Sequence, residues 1–119
     1  MNRKSEDNTD SQMISDTYCS IYVTHPKNDQ AKDLAKKLVE EKLIGCANII
    51  PNVSSIYEWD GNICEEEEVI LFLKTKSQLF ESCKKRILEL HPYTTPAILF
   101  LPIENTGDDY LDWLSKQTL

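Results

Sequence analysis

Residues 53 to 75 read VSSIYEWDGNICEEEEVILFLKT, and the organisation of the chain follows from this stretch. At its centre stands Asp60-Gly61, a pair that tolerates the positive φ angles of a two-residue hairpin turn. Before the turn, a strand starts near Ala47, bends at Pro51 and resumes from Val53 to Trp59. After it, a returning strand runs from Glu66 to Thr75, with the apolar block Val69 to Leu73 in its middle.

Working outward, each flank of the hairpin repeats one pattern, a helix and a further strand. Towards the N-terminus, Tyr18 to Thr24 alternates: Cys19, Ile21 and Val23 fall on one face, Tyr18, Ser20 and Tyr22 on the other. His25-Pro26 ends that strand. Ala31, Leu34, Ala35, Leu38, Val39 and Leu43 then recur at helical spacing, with Asn28 expected as N-cap and Gly45 as a left-handed C-terminal cap. Towards the C-terminus, a helix from about Ser77 carries Phe80, Cys83, Ile87 and Leu90 on one face and stops at Pro92. A strand over Ala97 to Ile103 follows. A short helix with Tyr110, Leu111 and Leu114 begins near Asp108, its expected N-cap.

The order is strand, helix, strand, strand, helix, strand, plus a terminal helix. Each of the first two helices crosses over between parallel strands, and right-handed crossovers place both on the same sheet face. The expected fold is therefore α+β: a ferredoxin-like split β-α-β sandwich, an antiparallel sheet with helices on one face, and a short C-terminal helix. That fold hosts many functions and selects none.

Composition narrows the classes. A chain of 119 residues suits one domain, expected over 18–119, after a disordered polar leader over 1–17. The leader lacks the apolar core of a secretory signal, and Glu6, Asp7, Asp10 and Asp16 make it a poor transit peptide. The longest apolar run, Ala97 to Leu101, falls far short of the ~20 residues of a membrane helix. A cytoplasmic location with no membrane partner is expected. A net charge of -7 argues against nucleic acid, which needs a basic face. The four cysteines form no C-x-x-C pair, so a zinc ribbon or thioredoxin-like motif is excluded. Three dispersed glycines leave no phosphate-wrapping loop, and H-E-x-x-H is absent.

Candidate site residues gather at strand ends. Ser55, Tyr57 and Trp59 share one strand face, and aromatics with polar tips suit a wet pocket or a subunit interface. Lys74 places an ammonium near the end of its strand, available to an anionic ligand or to a salt bridge. In His91-Pro92-Tyr93 the imidazole sits at a helix C-terminus, where the dipole favours its protonated form. It can satisfy helical carbonyls or contact a metal or ligand. Glu65 to Glu68 alternates between two faces and reads as a solvated hairpin edge.

Taken together, Cys46-Ala47-Asn48, the Ser55/Tyr57/Trp59 strand, Asp60-Gly61, Lys74-Thr75, His91-Pro92-Tyr93, Pro96 and Tyr110-Leu111-Asp112-Trp113 resemble the CutA family, the divalent-cation tolerance proteins, over about Tyr18 to Leu114. The resemblance implies a ferredoxin-like fold, a tight homotrimer, and binding of copper or another divalent cation in some members. It also implies architectural kinship with PII signalling trimers. Three positions depart from the pattern. Val23 stands where copper-assigned bacterial members carry cysteine, Leu90 where they carry the second of two histidines, and Ala97 where glutamate is usual. The expected function is a non-catalytic homotrimeric metal-response protein that binds a divalent cation weakly, with copper at His91 and no cofactor required for folding. The expected cleft comprises Tyr57, Trp59, Lys74, His91 and Tyr93. The alternative is a PII-like sensor in which the same cleft takes a small molecule and Lys74 holds its negative group. A hydrolase or lyase using His91 and Tyr93 is the remaining class.

Overall fold

A computed structural model describes residues 17–104 and 107–119; the expected leader over 1–17 lies outside them except for Thr17. The strands are β1 (Tyr18–His25), β2 (Cys46–Trp59), β3 (Asn62–Lys76) and β4 (Ile98–Ile103). The helices are α1 (Asn28–Glu40), α2 (Phe80–Leu90, entered through a 3-10 turn over Ser77–Leu79) and α3 (Asp108–Gln117). All strand pairings are antiparallel, in the order β2-β3-β1-β4. This is the expected split β-α-β sheet, with β1 parallel to β2 across β3, and β3 parallel to β4 across β1.

Alternation decides which side chains enter the core. Cys19, Ile21 and Val23 of β1 and Val69, Leu71 and Leu73 of β3 meet Ala31, Leu34, Ala35 and Leu38 of α1 and Cys83 and Ile87 of α2 in one buried cluster. Both helices therefore cover the same face. The opposite face carries Tyr22, Phe72, Ile70, Ile50, Leu99 and Leu101, and no helix among the described residues covers its middle. Only α3 crosses one end of it, where Tyr110 lies over Lys74.

The turn at Asp60-Gly61 is as expected. Both residues have positive φ, 50° and 79°, and Trp59 pairs with Asn62 across it. The bend expected at Pro51 is a β-bulge. Pairing shifts by one residue between Ile50 and Val53, and Asn52 takes φ 60°. Beyond the bulge β2 and β3 pair only with each other, because β1 ends opposite Val69. The hairpin thus leaves the body as a two-stranded arm.

The expected caps are displaced. The N-cap of α1 is Lys27 rather than Asn28, with its N–H donated to His25 Nδ1 at 3.0 Å, and that of α3 is Gly107 rather than Asp108. Left-handed geometry after α1 falls on Lys42, φ 61°, and not on Gly45. Gly45 serves another purpose: a Cβ there would collide with the Leu114 side chain of α3. The small residue is needed for close approach between elements remote in sequence, which local spacing does not reveal.

Candidate functional site

The sheet end at the base of the arm collects the polar groups. Pro92 ends α2, and His91 takes an extended conformation (φ -81°, ψ 141°) just beyond it. That geometry turns the ring back over the end of β1. His91 Nδ1 accepts the N–H of Tyr93 at 3.0 Å, so the proton of the neutral ring belongs on Nε2, which donates to the carbonyl of Thr24 at 2.7 Å. His25, fully buried, packs against His91 with ring centroids 4.7 Å apart and planes tilted by 52°. Burial and the neighbouring imidazole push its pKa down to about 4.

Two tyrosine–carboxylate pairs continue the site onto the arm. Tyr93 donates its hydroxyl to Glu68 at 2.9 Å, and Tyr57 donates to Glu66 at 2.7 Å. The Tyr93 hydroxyl is pushed up to about 12 by burial and then by Glu68, and that of Tyr57 to about 12 chiefly by its bond to Glu66. Glu68 is only 7% exposed, which corrects its reading as a solvated hairpin edge. It lies one residue past the end of β1, where Tyr93 comes down to cover it.

The expected cleft residues therefore divide. His91 and Tyr93 stand at the base of the arm, and Tyr57 lies further along the arm, its hydroxyl bonded to Glu66. Trp59, two residues beyond Tyr57 on the same face, stands at the tip and is 67% exposed. Lys74 is six residues along β3 from Glu68, about 20 Å away at the usual strand rise. It faces Cys46 across the ladder, with its ammonium 5.8 Å from the Tyr110 ring. Burial and then Cys46 raise the Tyr110 hydroxyl pKa. Sequence reasoning missed His25, Glu66, Glu68 and Tyr110 as parts of these clusters. The two glutamates were findable, since both fall on the strand face of Tyr57 once the turn register is fixed.

A tight copper site does not fit one protomer. Both nitrogens of His91 are engaged, and Val23 points into the apolar core. Among the described residues no three His, Cys, Asp or Glu side chains converge in a way that could hold a metal.

The fold and the order of these residues agree with comparison to known proteins. A family model described as CutA1 divalent ion tolerance protein matches residues 19–117. This chain belongs to the CutA family. It is similar to the divalent-cation tolerance protein CutA of Thermus thermophilus, 44% identical over 98 residues, covering 82% of this chain and 95% of that protein. It is also similar to a CutA homolog of Xenopus laevis, 42% identical and covering 86% and 71% of the two chains. The CutA1 structure from Oryza sativa superposes with a TM-score of 0.85 at 33% identity, covering 87% of this chain and 94% of that one. Among the described residues no helix is long and apolar enough to cross a membrane.

Proposed function

We propose that this CutA-family chain acts as a homotrimer that binds a divalent cation weakly and without catalysis in clefts between subunits, copper being the expected metal. The uncovered sheet face carries the proposal. Ile50 and Leu99 are 46% and 51% exposed there, contiguous with Tyr22, Phe72 and Leu101. A continuous apolar face of this kind marks an interface. The two sheet edges support the same reading. β4 is a short apolar edge strand, and the arm offers the free edge of β2, so pairing one with the other from a second copy protects both. Such a head-to-tail contact closes into a ring, and three copies is the number the family resemblance implies.

Metal enters through the family, whose relatives include proteins named for divalent-cation tolerance. Because the described residues of one protomer offer no complete donor set, subunits would pool ligands, and His91 would release the Tyr93 N–H to contribute Nδ1. Weak binding follows from that competition. The four free thiols favour a reducing compartment such as the cytoplasm. The PII-like reading draws on a different observation: the Lys74 ammonium beside Tyr110 and Cys46 can hold the anionic group of a small ligand.

Sedimentation equilibrium at micromolar concentration tests the assembly, and a 13.7 kDa species defeats it. Copper calorimetry at physiological salt and neutral pH tests the metal. Wild type should bind weakly and His91→Ala less; no binding by either favours the sensor.

A further inference from the structure

Between α1 and the free edge of β2 runs an open groove of about 360 Å³ that belongs to neither polar cluster. Ala35, Val39, Ala47 and Ile49 line it with hydrocarbon, and Lys32, Lys36 and Glu40 stand around it. The hollow exists because Ala35 on the helix and Ala47 on the strand are both small. Val39, one helical turn beyond Ala35, is left 42% exposed beside it.

The charges are as informative as the shape. Lys32 and Lys36 are four residues apart on one helix face, where like charges repel. The salt bridges among the described residues are Lys84–Glu81, Arg86–Glu41 and Arg86–Glu89, so neither groove lysine forms an ion pair there. Two lysines without an ion pair among the described residues are notable in a chain with 20 acidic and 13 basic residues. Glu40, one turn further along, carries the opposite sign. The groove is therefore apolar in the middle, positive at one end and negative at the other.

We infer that this groove binds a small amphipathic monoanion, a free carboxylate with a compact hydrocarbon body. The body lies on Ala35, Val39, Ala47 and Ile49, which removes their apolar surface from water. The carboxylate sits between Lys32 and Lys36, and repulsion from Glu40 fixes its direction. The volume lies in the range of small-molecule sites, and a few charged groups around an apolar lining are their usual chemistry.

The test is an amide-resolved NMR titration of the full chain with octanoate, paired with sedimentation of each variant. Saturable shifts confined to the amides of residues 32–40 and 47–49 are expected. Ala47→Leu, which fills the hollow without changing charge, should weaken binding at least tenfold. Lys36→Glu should weaken it several-fold, and the wild-type affinity should fall as salt rises. Both variants should keep the wild-type assembly state, which separates this site from the proposed trimer contact. Octanoate shifts that do not saturate, or equal binding by Ala47→Leu, overturn the inference. Loss of assembly in Ala47→Leu also overturns it, by showing that a second copy fills the groove.

Discussion

The two halves of β3 have the same backbone and opposite surroundings. From Val69 to Thr75, alternate side chains are almost completely buried beneath α1 and α2. From Asn62 to Glu67 the strand has only β2 beside it, and large side chains stand exposed on both faces of the arm. Ile56 and Ile63 lie on one face, Tyr57 and Trp59 on the other. In the inner half the period of two is enforced by what the helices cover. In the outer half nothing among the described residues covers the apolar side chains, and the proposed subunit contact would account for them.

Four substitutions probe that contrast. Leu71→Ala empties part of the core and should destabilise the fold by about 2–5 kcal/mol in denaturant titration, at any protein concentration. Trp59→Ala should leave a single protomer folded yet weaken association by about 2 kcal/mol or more, the size of an interface hot spot. The concentration dependence of sedimentation measures this, and an unchanged assembly shows that the tip faces solvent. Tyr93→Phe removes the bond to Glu68 and should cost about 1 kcal/mol near neutral pH. Its hydroxyl pKa is raised from 10.0 to about 12, so the bond contributes fully below pH 10 and is lost as pH rises through 12. Unfolding curves across that window should be flatter in the variant, with Tyr57 retaining its own share. Ile63→Ser, on the exposed outer half, should change stability by less than about 0.5 kcal/mol. A larger loss means that the second face of the arm is also covered.

Where local chemistry determines structure, the sequence was readable. Asp60-Gly61 fixed the turn, the turn fixed the register, and the alternation of Cys19, Ile21 and Val23 fixed the buried face. Helix ends were less so: Asn28 and Asp108 are good cap residues, yet the caps fall one residue earlier, on Lys27 and Gly107. Gly45 was misread because its partner, Leu114, lies far along the chain. The site was legible in part. His91-Pro92-Tyr93 stood out as a rigid corner, but its target, the Thr24 carbonyl, is set by tertiary packing. Glu68 was hidden in a run of four glutamates, and only the end of β1 distinguishes it from its neighbours.

The two-residue turn has a consequence for how the arm changes through descent. Its tip needs only Asp60-Gly61 and a matched pair on either side, so lengthening both strands equally preserves the turn. An increment of one residue per strand would carry Trp59 to the opposite face, whereas an increment of two returns it. Viable arm lengths in this lineage should therefore come in steps of about 7 Å, like notches on a ratchet.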